Sequence, residues 1–166
     1  NSIPGFVDIQ IRVLYNQKKK IKEDDSMVKL LVGHKGKGKT KKMIELANAS
    51  VEETKGSTVF INKNSRLIYD LDYKIRVICM EDFVHITNED EYIGFLFGII
   101  SSDNDIQTIF LDGIMRHADF SLDILPSFLS KVKDISKDYG IDFVISISAE
   151  LEEMIGVNFD GVEVLN

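Results

Sequence analysis

One stretch constrains this chain more than any other: "VKLLVGHKGKGKTKKMIELA", residues 28–47. An apolar run from Val28 to Val32 ends in Gly33, and the eight residues from Gly33 to Thr40 hold three glycines and three lysines. Met43, Ile44, Leu46, Ala47 and Val51 then recur at helical spacing. A strand, a bare turn and an amphipathic helix in immediate succession leave few folds open. The helix has to pack back over the sheet that contains the strand, which is how a parallel sheet is built.

The rest of the sequence repeats that alternation. "STVFIN" (57–62), "KIRVICM" (74–80), "IQTIFLDG" (106–113), "IDFVISIS" (141–148) and "VEVLN" (162–166) read as strands rich in β-branched residues. "NEDEYIGFLFGIISSD" opens with an Asn-x-x-Glu cap pattern at Asn88 and Glu91 and reads as a helix. "LPSFLSKVKDISKDYG" (125–140) carries Phe128, Leu129, Val132, Ile135 and Tyr139 on one face and closes at Gly140, and "AELEEMIG" reads as a short helix. Strands that are apolar on consecutive positions suit burial on both faces. The expected fold class is therefore α/β, in three layers, with a mostly parallel sheet and helices on both faces.

Residues 27–166 are expected to form a single domain. The first 26 residues differ from it: weak alternation in "NSIPGFVDIQIRVLYNQ" is followed by the solvated charge run "KKKIKEDDS". Met27 stands directly before the first strong strand, so residues 1–26 read as a leader or an expression-derived extension. No apolar run approaches the roughly 18 residues of a membrane span, since "YIGFLFGII" is short and ends at Ser101 and Ser102. Cys79 is the one cysteine, which excludes a disulfide within the chain and fits a buried thiol in a cytoplasmic protein.

Charge is distributed unevenly. Residues 27–166 hold 15 Lys and Arg against 23 Asp and Glu, a net of −8, yet Lys35, Lys37, Lys39, Lys41 and Lys42 crowd the glycine turn. Outside it there is no basic stripe with interleaved aromatics, so polynucleotide binding by the monomer is not expected. A concentrated cation inside an acidic protein points to a small polyanion. In the spacing G-x-x-x-x-G-K-[ST], met by Gly33, Gly38, Lys39 and Thr40, glycines let successive backbone N–H groups turn inward on a phosphate. The following helix adds its positive N-terminal end. Residues Gly33, His34, Lys35, Gly36, Lys37, Gly38, Lys39, Thr40 and Lys41 are the expected nucleotide-binding loop; Lys39 would neutralise the terminal phosphates, and the Thr40 hydroxyl would ligate Mg²⁺. The apolar strand "TIFLD" ends in Asp112, whose carboxylate would hold the same Mg²⁺ through water.

"LLVGHKGKGKT" with "TIFLD" resembles the Walker A and Walker B motifs of P-loop NTPases, and the resemblance extends over residues 28–166. With "FVISIS" ending in serine it is similar to the RecA-like, additional-strand branch. There a polar residue at the tip of the strand after Walker B senses the γ-phosphate, which the resemblance assigns to Ser148, with Ser146 second. The chain also resembles small ATP-binding proteins of Gram-positive bacteria sometimes labelled twitching-motility ATPase-like. True motility ATPases are larger and carry a sensor domain and acidic and histidine boxes that this sequence lacks.

The departures from that pattern are informative. The branch polarises its attacking water with a glutamate beside the Walker B aspartate or at the tip of the strand after the first helix. Here Asp112 is followed by Gly113 and "VFIN" by Lys63. Substitutes are Glu81, on the condition that its strand neighbours the loop strand, and more remotely Glu150. Arg116 is the expected γ-phosphate finger, supplied to a neighbouring subunit. The resemblance thus implies an Mg-nucleotide-binding protein, ATP by preference because no N-K-x-D guanine signature is present. Its hydrolysis would be weak or dependent on assembly with itself or another protein. Two alternatives are a nucleoside-kinase-like phosphotransferase and a nucleic-acid motor or adaptor ATPase.

Overall fold

A computed structural model describes residues 27–36, 38–83, 85–154 and 156–165. The extension expected over residues 1–26 and Lys37 of the loop lie outside them. Six strands, β1 (Val28–Val32), β2 (Ser57–Asn62), β3 (Arg76–Cys79), β4 (Ile106–Leu111), β5 (Asp142–Ile147) and β6 (Val162–Val164), form one sheet in the order β3-β2-β4-β5-β1-β6. Every neighbouring pair is parallel. The helices are α1 (Lys39–Glu53), α2 (Glu89–Ser102), the single-turn α3 (Ile114–His117) and α4 (Leu125–Tyr139).

Strand periodicity divides the sheet into two faces. Leu31, Phe60, Phe110 and Val144 point to one side, where they pack with Met43 and Ala47 of α1. Phe60 and Phe110, on adjacent strands, stack with ring centroids 5.8 Å apart. Leu30, Val32, Ile61, Ile109, Leu111, Phe143 and Ile145 point to the other, against Tyr92, Leu96 and Ile99 of α2 and Phe128, Leu129 and Val132 of α4. The three-layer α/β arrangement expected from the sequence is the one observed.

The helix ends follow local chemistry. Asn88 caps α2 by accepting the Glu91 N–H (2.9 Å), and the Glu91 carboxylate accepts the Thr87 N–H (2.8 Å) and hydroxyl (3.2 Å). The reciprocal bond thus falls one residue earlier than the usual capping box. Gly140 closes α4 in the left-handed region (φ 64°), and Ser136 accepts its N–H while donating its own hydroxyl to the Ile141 carbonyl (2.7 Å). The helix expected over "AELEEMIG" shrinks to one 3₁₀ turn, Leu151–Glu153. Gly156 beyond it turns left-handed (φ 84°), so the chain cannot continue helically toward β6.

Candidate functional site

The switch in strand order builds the site. β5 lies between β1 and β4, so the loop leaving β1 and the chain leaving β4 emerge at the same edge of the sheet, one strand apart. That is the additional-strand arrangement the sequence resemblance implied, and it is where open α/β sheets offer a crevice. Asp112 follows Phe110 by two residues and therefore projects to the face that α1 covers. The first turn of α1 brings Thr40 to it.

Asp112 is almost fully buried, 1% exposed. Its carboxylate accepts the Thr40 hydroxyl at 3.1 Å (Oδ2) and 3.4 Å (Oδ1) and the Ser146 hydroxyl at 2.8 Å (Oδ1). Ser146 Oγ in turn accepts the Gly113 N–H at 2.8 Å. A buried carboxylate needs such donors, because an unpaired one costs several kcal/mol. Ser146 thereby fixes the orientation of Asp112 from the strand between the two motifs. Among the described residues no three His, Cys, Asp or Glu side chains cluster as a metal site. A divalent cation near Thr40 and Asp112 would therefore have to complete its oxygen shell from water and from a phosphate ligand. The donor set, one hydroxyl and one carboxylate, suits Mg²⁺ carried in with a polyphosphate.

The loop shows the electrostatics of an anion site. Gly38, left-handed at φ 79°, precedes α1 and offers no side-chain cap, and the first turn of α1 contains no acid. The contrast with α2 is direct: its first turn holds Glu89, Asp90 and Glu91 behind the Asn88 cap. The positive end of the fifteen-residue α1 is thus left uncompensated and is reinforced by Lys39, Lys41 and Lys42. Lys39 Nζ folds back to donate to the carbonyls of Gly33 (2.5 Å) and His34 (2.7 Å). Burial, and then the neighbouring Arg116, hold its pKa below the usual lysine value, against smaller opposing effects of Asp112 and Glu150.

A cavity of about 310 Å³ opens above the loop, lined by Lys35, Gly36, Gly38, Lys39, Thr40, Arg116, Ser146 and Ser148. It unites most of the residues singled out in the sequence. The His34 side chain is engaged elsewhere: its Nε2 lies 2.8 Å from Glu150 Oε1, tying the loop to the turn after β5. The Glu150 N–H donates to the Glu153 carboxylate (2.7 Å), so Glu150 serves as a tether and cap.

One expectation is revised by position. Glu81 depended on β3 lying beside β1, but β3 is the far edge strand, with β2, β4 and β5 between them. Four strand spacings put it roughly 19 Å from the loop strand. It is exposed, and its N–H donates to the Lys63 carbonyl (2.9 Å). Arg116, expected as a finger for a neighbouring subunit, lines its own chain's cavity and is exposed. Ser148 and Ser146 both line the cavity, but Ser146, ranked second, is the one bonded to Asp112. The signal for it in the sequence was a hydroxyl inside an otherwise apolar strand, two residues from the strand tip. Cys79 is a buried thiol at the end of β3, pushed up in pKa by burial and then by Asp82 and Glu81.

No family model and no curated protein sequence matches the chain. Its structure is similar to that of a KaiC-like protein from the hyperthermophilic archaeon Pyrococcus horikoshii OT3. The TM-score is 0.59 at 17% identity, over 83% of this chain and 70% of that one. At such identity the likeness is one of fold: a RecA-like, parallel α/β sheet. Among the described residues no helix is long and apolar enough to cross a membrane.

Proposed function

We propose that the protein binds an Mg-nucleotide, ATP by preference, through residues 33–41, and that its hydrolysis is weak or requires assembly. The observation that carries this reading is the approach of the Thr40 hydroxyl to the buried Asp112 carboxylate, 3.1 Å, beneath a cavity walled by Lys39 and Arg116. Hydroxyl, carboxylate and concentrated cation at one uncapped helix start match what a metal-bound polyphosphate needs on each side. The RecA-like fold, shared with a KaiC-like protein, supports the reading without specifying the ligand.

Each residue has a defined task in it. The N–H groups of the loop and of the first turn of α1 bind phosphate oxygens. Lys39 exchanges its carbonyl partners in the loop for phosphate. Thr40 and Asp112 would hold the Mg²⁺, with Ser146 keeping the carboxylate in place. A bound metal would supply charge neutralisation to the phosphates. Ser148, which lines the same cavity, would be the sensor of the terminal phosphate.

Calorimetric titration with Mg-ATP tests the proposal. Removing the ammonium in Lys39→Ala deletes a charge-assisted contact worth about 1.5–3 kcal/mol, so affinity should fall at least roughly tenfold. Equal affinity in the variant and the parent would refute the loop assignment.

A further inference from the structure

The crossover from β2 to β3 runs as a strap beside α1. Leu67, Leu71 and Ile75, four residues apart, turn inward and pack in the cluster that holds Met43 and Ala47 of α1 and Phe60 of β2. Asn48 of α1 pins the strap: its side-chain amide donates to the Asp70 carbonyl at 2.9 Å, and its amide oxygen accepts the Asp72 N–H at 2.8 Å. Tyr69 and Tyr73, each two residues off the inward spacing, are 94% and 89% exposed. Among the described residues the next most exposed large apolar side chain, Phe83, reaches 60%. Two aromatic rings held in water on a pinned segment contribute nothing to the core, and exposed apolar surface of this kind marks contact sites.

The same strap concentrates positive charge. Residues 63–76 hold Lys63, Arg66, Lys74 and Arg76 against Asp70 and Asp72, a net of +2 within a domain of net −8. All four cations are exposed, and among the described residues none of them forms an ion pair. Asp72 is half-buried and its carboxylate accepts the Lys74 N–H at 2.8 Å, so it is engaged in the strap's own turn. In the sequence the two aspartates interrupt the cations and hide the stripe. Lys74 Nζ lies 5.9 Å from the centroid of the Tyr73 ring, which keeps ring and charge side by side. Protection of an open sheet edge accounts for part of this, since β3 ends the sheet and edge strands carry Lys and Arg against pairing with other chains. It does not account for the tyrosines, which would make an edge more adhesive. Tyr and Arg are the residue types on which binding energy concentrates at protein interfaces.

We propose that the strap, residues 63–76, docks an extended acidic segment of a partner protein, with Tyr69 and Tyr73 as apolar anchors and Lys63, Arg66, Lys74 and Arg76 as its charge partners. Charge complementarity selects an acidic occupant. An extended one fits because the stripe follows a crossover and ends in Arg76 on β3, whose outer edge pairs with no described strand and is open to an added one. A polynucleotide fits less well: beyond the strap it would run over a strongly acidic domain that repels a long polyanion, whereas a short segment touches the strap alone. The proposal is independent of the nucleotide-binding reading.

The experiment is fluorescence anisotropy on the full-length protein with three labelled probes: a Glu-Asp-Leu repeat peptide, a Lys-Ser-Leu repeat peptide and oligo(dT). The parent should bind the acidic peptide, more weakly as salt rises, and not the basic one. Tyr69→Ala and Tyr73→Ala should each weaken that binding about tenfold, and Arg66→Glu combined with Lys74→Glu at least about 100-fold. Tyr73→Phe should keep most of the affinity, because the ring is the anchor. These side chains are exposed, so the variants should melt with the parent, which separates a lost contact from a lost fold. Failure of the parent to bind the acidic peptide overturns the proposal, as does binding that the strap variants leave unchanged or that Lys39→Ala abolishes while they spare it. Tighter, strap-dependent binding of oligo(dT) overturns it in favour of a polynucleotide. A parent that sediments as a dimer broken by Tyr69→Ala overturns it in favour of a second copy of the chain.

Discussion

Ser146→Ala is the perturbation whose size follows most directly from the structure. The hydroxyl is 1% exposed and holds two bonds of 2.8 Å, accepting from the Gly113 N–H and donating to Asp112 Oδ1. Alanine removes both, and Gly113 is itself buried, so a backbone donor and a carboxylate oxygen each lose a partner that water cannot easily replace. An unmet buried group costs about 1–3 kcal/mol. Thr40 still donates to the carboxylate, which limits the second loss, so the total should be roughly 2–4 kcal/mol. For a chain of this size that corresponds to a fall in melting temperature of about 6–15 °C. Thermal and urea unfolding followed by circular dichroism measure it. Ser148→Ala is the control: Ser148 is half-buried, makes no side-chain hydrogen bond among the described residues, and should shift stability by less than about 0.5 kcal/mol. If Ser146→Ala costs as little as Ser148→Ala, the Ser146–Asp112 bond contributes nothing in solution and the claim that Ser146 positions the carboxylate fails.

Asp112→Asn should weaken Mg²⁺-dependent nucleotide binding while sparing metal-free nucleotide, and an unchanged magnesium dependence in the titration would count against Asp112 as the metal-side residue. Asn88→Ala should destabilise the protein by about 1 kcal/mol through loss of the α2 cap, without altering nucleotide affinity; urea unfolding beside a nucleotide titration separates the two effects. Phosphate release should be very slow and should rise steeply with protein concentration or on addition of a partner. High activity that is independent of concentration would show that the chain contains its own base.

Much of this architecture was legible because a few local rules sufficed. Runs such as "IQTIFL" and "FVISI" are apolar on consecutive residues, which forces burial on both faces and hence parallel pairing. Gly140 ends α4 and Asn88 starts α2 for reasons contained in their own side chains or lack of them. The loop was legible for the same reason: spacing, bareness and charge sit within eight residues. What escaped depends on strand order, which no local pattern encodes. Glu81 and Asp112 both follow apolar strands, yet β3 is an edge strand while β4 stands one strand from β1. Ser146 and Ser148 look alike in sequence, and only the packing of β5 between β1 and β4 gives Ser146 the neighbouring carboxylate. Arg116 reads in the sequence as a finger for a neighbouring subunit; it is exposed, and that it also lines the cavity of its own chain, past the left-handed turn at Gly113, is not visible in the local pattern.

The residues at the strand tips also bear on turnover. β2 pairs directly with β4, and the Asp112 N–H donates to the Ile61 carbonyl at 2.9 Å, so the chain leaving β2 runs beside the one that carries Asp112. It carries Asn62, whose side-chain amide oxygen accepts the Lys63 N–H at 2.7 Å, and then Lys63 itself. An amide already engaged and a cation cannot accept a proton from water. The chain leaving β4 offers Gly113, and that leaving β5 offers Ser148 before Glu150, which is paired with His34. On the nucleotide-binding reading, the described residues at the ends of β2, β4 and β5 therefore supply no carboxylate free to activate water beyond Asp112 itself. General-base catalysis contributes about 10²–10⁴ in rate and a phosphate-directed arginine about 10³–10⁵. On that reading a site without a base would keep the charge stabilisation of its cations while forgoing the proton transfer. It should be built to hold a triphosphate for long periods and to release it, or cleave it, when a partner supplies what the strand tips lack.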